Sequence, residues 1–267
     1  MSEHSVISRT KVPQTRDSLA NDLRALGVKP HMTLMVHVSL SSLGWVNGGA
    51  VALVQALMDV ATPEGTIIFK THSGNLTHPK HWGNPPAPED WWETIRQTMP
   101  AFEPDITPSY RLGVTPEVFR SFPDVKRSNH PTVSMAAWGK HAEWLTDAHQ
   151  LDFSLGEGSP LKKLYDLDGQ VLLIGVGHDS NTSFHLAEYR CGKYETVEKG
   201  SPILEDGKQV WKVYQDIEID ADRFEAIGAD FEKAHDIVTG KIGLAPCKLF
   251  RMREAVDFAE EWLRRSL

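Results

Sequence analysis

Residues three apart on a helix share a face, so a histidine followed three positions later by a carboxylate can hydrogen-bond side by side. His185 and Glu188 are such a pair, in the segment Ser183 to Tyr189. A carboxylate that accepts from one imidazole nitrogen fixes the tautomer and leaves the other nitrogen free to take a proton. The pair therefore reads as a general base with its orienting partner, and Asp179 and Thr182 precede it closely enough to join the same site. A His-x-x-Glu pair alone also fits an ordinary helix surface. What favours chemistry here is its place straight after the apolar run Gln170 to Val176, with Asn181, Thr182 and Ser183 as N-cap candidates.

A second constellation is Ser39-Leu40-Ser41-Ser42-Leu43-Gly44, which lies between the β-rich run Thr33–Val38 and the helical pattern of Ala50 to Met58. Its hydroxyls and backbone N–H groups suit phosphate or pyrophosphate oxygens, and they equally suit a plain strand-to-helix loop with capping serines. No Gly-x-Ser-x-Gly elbow is present, which argues against a serine nucleophile. His72, His78 and His81 beside Asp90 invite a metal reading, but Pro79 interrupts the helical ligand spacing and no His-Glu-x-x-His occurs, so no metal is expected. Cys191 follows Glu188 by three residues, and a buried free thiol is commoner than a reactive one. Trp45 and Trp82, among polar and turn-forming neighbours, are expected to wall a pocket, whereas Trp91 and Trp92 are expected to pack in the core.

The elements that must position these residues are three strand-loop-helix units. The first two begin at Thr33 and Thr66, the latter leading into a long Pro-, His- and Trp-rich segment from Lys70 to Arg111, and the third begins at Gln170. Short continuous apolar strands alternating with helices predict an α/β fold: one domain over residues 1–267, with a central, mixed, largely buried sheet covered by helices on both faces. Ligands would gather beyond the carboxyl ends of its strands. Val210 to Tyr214 and the amphipathic run Ala255 to Leu263 are predicted to add a strand and a final helix to the same core.

A formal charge of −8 argues against a phosphate-backbone binder and suits a cationic partner. Neither an apolar run long enough to span a bilayer nor a leader pattern is evident. The two cysteines, Cys191 and Cys247, form no Cys-x-x-Cys motif. A cytoplasmic, reducing location is the expectation, with no membrane or nucleic-acid partner.

Taken together, several segments resemble the aminoglycoside 3-N-acetyltransferase family, also called the antibiotic N-acetyltransferase family, whose fold is distinct from GNAT. They are Val36–Gly44, Met99–Phe102, Arg127–Ser134, Gly156–Leu161 and Asp179–Tyr189. The resemblance implies transfer of an acetyl group from acetyl-CoA to an amine, such as an aminoglycoside 3-amino group, with His185 as base, Glu188 as its partner and Asp179 nearby. It implies cofactor contacts at His37, Ser39, Leu40 and Ser41, and within the Asp152–Ser159 stretch at Phe153 and Ser159. Trp45, His72, Trp82, Asn181 and Thr182 are the candidate acceptor contacts. A homodimer is a further expectation. Two other readings are a CoA-binding sensor without turnover and a metal-dependent amidohydrolase.

Overall fold

The computed structural model describes residues 2–266. Helix α1 (Glu3–Arg9) and α2 (Arg16–Leu26) lead in, the latter started by a Thr15–Ser18 capping box and stopped at Gly27 in the left-handed region. Strand β1 (Thr33–Val38), α3 (Gly49–Ala61) and β2 (Thr66–Lys70) follow. The long segment after β2 carries only 3₁₀ turns and α4 (Trp92–Thr98) before α5 (Val114–Arg120). Next come β3 (Lys126–Arg127), β4 (Met135–Gly139), α6 (Ala142–Thr146), α7 (Pro160–Asp166), β5 (Gln170–Ile174) and α8 (Phe184–Cys191). The chain ends with β6 (Thr196–Glu205), β7 (Lys208–Ile217), α9 (Phe224–Ala234), β8 (Val238–Ile242), β9 (Ala245–Arg251) and α10 (Met252–Ser266).

Seven strands form one mixed sheet in the order β3-β4-β2-β1-β5-β9-β8, with β1 parallel to both β2 and β5 and the flanking pairs antiparallel. Side-chain alternation divides the core. Leu34, Val36, Ile67 and Phe69 face Leu23, Leu53, Leu57 and Phe119 on α2, α3 and α5. Met35, Ile68, Val171 and Leu173 face Leu161, Phe184, Phe224 and Val256 on α7 to α10. Each fully buried large apolar side chain contributes about 1.5–3 kcal/mol. Helix α10 buries Met252, Ala255, Val256, Ala259 and Leu263, the i, i+3, i+4, i+7 stripe that its sequence predicts.

The sequence expectation for Val210 to Tyr214 needs correction. This strand does not join the main sheet but pairs with β6 in a separate two-stranded ribbon, closed by a tight turn at Asp206-Gly207, both residues at positive φ. Only Tyr214, Asp216 and Ile217 of β7 are buried, too little apolar surface for a strand covered on both faces. Trp91 also departs from expectation: it is 59% exposed at the end of a 3₁₀ turn, while the Trp92 indole N–H donates to the Ala87 carbonyl.

Because β2, β1 and β5 run parallel, Lys70, Val38 and Ile174 end on one edge of the sheet, where the following loops meet. Gly175, at φ +63°, lies so close to Ser42 that any side chain would collide with the serine hydroxyl. No helix among the described residues is long and apolar enough to cross a membrane.

Candidate active site

Helix α8 opens at the sheet edge and projects His185 and Glu188 from its first two turns. His185 Nδ1 donates to Glu188 Oε2 at 2.5 Å, and the Asp220 backbone N–H donates to Glu188 Oε1 at 2.9 Å. Glu188 is only 1% exposed, and a buried carboxylate is tolerated when paired and hydrogen-bonded in this way. Phe224 packs against the His185 ring at 4.8 Å between centroids. With the proton held on Nδ1, Nε2 is the basic atom, and it has no protein hydrogen-bond partner among the described residues.

The ends of β1 and β2 supply a floor of cationic and imidazole groups. His37, Lys70, Arg111 and Ser180 line a cavity of about 150 Å³. His37 is 3% exposed and neither ring nitrogen has a partner among the described residues. Burial, with Lys70 and His185 nearby, pushes its pKa well below the ordinary imidazole value, and His72 is lowered in the same way. A second cavity, about 320 Å³, is lined by His72, Thr77, His81, Lys199, Asp216 and Glu218. A third, about 350 Å³, is bounded by Trp82, Pro85, Tyr110 and Arg111; it shares Thr77 and His81 with the second and Arg111 with the first. Through these shared residues the three are neighbours along one cleft region, the first of them at the carboxyl ends of β1 and β2.

Of the residues expected to act, the structure brings His185 within electrostatic range of both His37 and His72 and places Trp82 in the cleft wall. Asp179 is exposed on the 3₁₀ turn before α8, where its backbone N–H donates to Glu225 and its carboxylate acts on Lys70. Ser39 to Leu43 curl into a 3₁₀ turn of their own, and α3 begins only at Gly49. The Ser39 and Ser42 N–H groups are consumed by Ile174 and Ser39 carbonyls and the Ser39 and Ser41 hydroxyls contact each other at 3.4 Å, which leaves the Leu40 and Ser41 N–H groups and one of the two hydroxyl protons. Those donors, the unpartnered His37 and the cavity beside it fit a cosubstrate with phosphate and carbonyl oxygens.

Phe153 is 43% exposed and its backbone N–H donates to Gln215 on β7, which ties this stretch to the ribbon. Several other candidates are set in the scaffold. Ser159 is fully buried as the N-cap of α7. Asn181, also fully buried, accepts from Ser183 N and Oγ at the start of α8, and the Thr182 carbonyl accepts from His185 N. Trp45 lies apart from the cleft linings, its backbone bonded to Thr10 and Gln14.

Sequence reasoning overlooked Lys70, Arg111, Lys199, Asp216 and Glu218. Asp216 collects Ser154 Oγ at 2.7 Å, Tyr189 Oη at 2.6 Å and Lys199 Nζ at 3.4 Å, joining the ribbon to α8 and to the Asp152–Ser159 stretch. The alternating acidic run Asp216-Ile217-Glu218-Ile219-Asp220 was its only signal in the sequence.

Residues 35–264 match the family profile described as aminoglycoside 3-N-acetyltransferase. Among curated proteins, the SPbeta prophage-derived aminoglycoside N(3')-acetyltransferase-like protein YokD of Bacillus subtilis is 52% identical over 258 residues, spanning 96% of this chain and 95% of YokD. The YokD crystal structure superposes with a TM-score of 0.97 at 50% identity, covering 98% of this chain and 97% of that one. AAC-IIIb, solved as a binary complex with CoASH, superposes at 0.85 with 30% identity over 96% and 98% of the two chains. AAC-VIa bound to sisomicin superposes at 0.86 with 31% identity over 96% and 99%. The resemblance read from the motifs thus holds over nearly the whole chain, in sequence and in fold, and the protein belongs to the aminoglycoside 3-N-acetyltransferase family, acetyl-CoA-dependent transferases.

Proposed function

We propose that the cleft moves the acetyl group of acetyl-CoA directly onto an acceptor amine, with His185 Nε2 as general base and Glu188 as its orienting carboxylate. The observation that carries this reading is the 2.5 Å His185–Glu188 hydrogen bond, which leaves Nε2 as the one unpartnered basic atom of the pair. His185 takes the amine proton as the nitrogen meets the thioester carbonyl. The new C–N bond forms, the C–S bond breaks, and the departing thiolate takes up the proton to leave CoASH. Glu188, held by Asp220, stabilises the imidazolium that forms in between. This base contributes about a hundredfold to ten-thousandfold, or roughly 3–5 kcal/mol of barrier.

The acetyl thioester is assigned to the His37–Lys70 end of the cleft, beside the free donors of Leu40 and Ser41. The acceptor is assigned to the part lined by His72, Trp82, Asp216 and Glu218. Its acidic groups suit a cationic amine, and an aminoglycoside 3-amino group is the acceptor that the family and the sisomicin-bound relative support. The reading treats residues 1–267 as one catalytic unit, in a cytoplasm where the free thiols Cys191 and Cys247 stay reduced.

Thiol release from acetyl-CoA, measured across a panel of amines that includes aminoglycosides, tests the proposal. Amine-dependent release in the native protein, lost in His185→Ala while acetyl-CoA binding survives, is expected. Acetyl-CoA binding without release for any amine indicates a sensor and overturns the catalytic reading.

A further inference from the structure

Lys70 and Lys163 are the half-buried lysines that form no ion pair among the described residues, and Lys70 is the one at the carboxyl edge of the parallel strands, since Lys163 on α7 donates to the Trp144 and Asp147 carbonyls. Alternation along β2 turns Ile67 and Phe69 toward α3 and α5, while Ile68 faces the α8 side, so Lys70, two residues further on, faces that side too. Met35 of β1 registers against Ile68, which sets His37 and Lys70 side by side. Lys70 Nζ donates to the Ser180 carbonyl at 3.3 Å, in the turn that leads to His185. It forms no ion pair among the described residues, whereas Lys162, Lys199 and Lys248 each meet a carboxylate. Its only acidic influence is Asp179, acting through space, and partial burial lowers its pKa below the ordinary lysine value. The ammonium form is disfavoured there for want of solvent and of a counter-ion.

Lys70 therefore lines the small cavity beside the unpartnered His37, the end of the cleft assigned above to the acetyl thioester. Acetyl transfer needs an amine that can shed its proton, a thioester within reach and a base. Lys70, whose ammonium form burial disfavours and which lines the cavity, meets the first condition. If the cleft is read as proposed, it meets the others whenever the acceptor is absent.

We infer that Lys70 is a self-acetylation site: in the absence of acceptor, its ε-amine takes the acetyl group from acetyl-CoA. The Nζ lone pair attacks the acetyl carbonyl carbon, an amide C–N bond forms and the C–S bond breaks. CoA leaves as thiolate, and the amine proton passes by way of His185 to that thiolate, giving CoASH and N-acetyl-lysine. The product is neutral and bulkier, so it removes a charge from the cavity floor and fills space that the thioester uses. Turnover should fall as Lys70 becomes modified, and acceptor should protect it.

This inference rests on the acetyl-transfer reading, and the experiment separates the two. The full-length protein is incubated with acetyl-CoA at mildly alkaline pH, with and without an amine acceptor, and acetylation is followed by peptide mass spectrometry. Thiol release is recorded in parallel. Acetyl on Lys70 should build up well ahead of the exposed Lys29 and Lys208, fall about a hundredfold in rate in His185→Ala, and decline when acceptor is present. The modified peptide should vanish in Lys70→Arg. Turnover of an amine with Lys70 no more acetylated than Lys29 and Lys208 overturns the inference and leaves the activity standing. Absence of both thiol release and Lys70 acetylation overturns the two together.

Discussion

In the His185–Glu188 pair Nδ1 is committed to the carboxylate, and Nε2, without a protein partner among the described residues, is the atom that the proposed mechanism uses as base. His185→Ala should lower kcat by at least about a hundredfold while the Kd for acetyl-CoA, read by calorimetry, stays near the native value, because the base acts on the acceptor proton and not on the cosubstrate. Raising the pH should partly restore the variant, since more acceptor amine is then already neutral. Near-normal turnover of His185→Ala at neutral pH would place the active site elsewhere. Glu188→Gln keeps its one oxygen for the Asp220 N–H but turns an amide NH2, a donor, toward His185 Nδ1, which favours the tautomer protonated on Nε2. The base is then blocked, so kcat should drop by at least about a hundredfold. The proposed mechanism makes no use of Cys191. Its sulfur is 3% exposed, donates to the Glu188 carbonyl in its own helix, and has its thiol pKa raised by burial. Cys191→Ala should retain most turnover, and a trapped acetyl-cysteine would reverse the direct-transfer mechanism.

The long segment after β2 depends on one guanidinium of the short strand β3 for its shape. Arg127 donates to Thr71 O at 2.7 Å, to Ser73 Oγ and Ser134 Oγ at 3.0 Å, and to the carbonyls of Pro104 and Thr107, and it stacks on Phe102. Every one of these partners is neutral, and burial brings the pKa of Arg127 down to about 10, so it remains a cation at pH 7. It thereby fastens both ends of the loop that carries His72, His81 and Trp82. Arg127→Met strands several buried acceptors and should cost about 3 kcal/mol in a chemical-denaturation series. Ser73→Ala removes two ties, the one from Arg127 and the one to the Pro108 carbonyl, without touching the charge and should raise the acceptor KM more than it lowers kcat. An unchanged KM in a folded Ser73→Ala protein would count against this positioning role.

Across the whole molecule, buried histidines link stability to pH. His130 accepts from Thr132 N and Val133 N and donates to the Leu151 carbonyl, while His149 accepts from Ser128 Oγ and donates to the Ser154 carbonyl. Each is satisfied as a neutral ring, and burial lowers their pKa values to about 4 and about 3. In the unfolded chain these rings protonate below about pH 6.5, so between there and pH 4 the unfolded state binds more protons and stability falls with falling pH. Each ring contributes up to about 1.4 kcal/mol per pH unit, and His37 and His72 shift in the same direction. Urea midpoints measured from pH 7 down to 5 should therefore decline, and His149→Gln should shallow that slope. A flat profile over this range would contradict the assignment of neutral buried rings.

The local and periodic features of the chain were legible without a structure. The alternating apolar strands, the i, i+3, i+4 stripe of α10, the strand preceding His185 and the three-residue spacing of His185 and Glu188 all rest on backbone geometry that repeats over a few residues. That is why the sheet covered on both faces and the His185–Glu188 contact could be read directly, and why the family motifs spoke clearly. What tertiary structure decided depends on which distant segments meet. Lys70 and Arg111 carry no local mark of function and Asp216 only an alternating acidic run, and they reach the cleft because parallel strands end on one edge and a separate ribbon folds back over it. For the same reason Ser159 and Asn181 became buried caps and Trp91 turned outward: polarity and propensity state what a residue can do, but burial and partners, set by contacts far apart in sequence, determine which of those roles it takes.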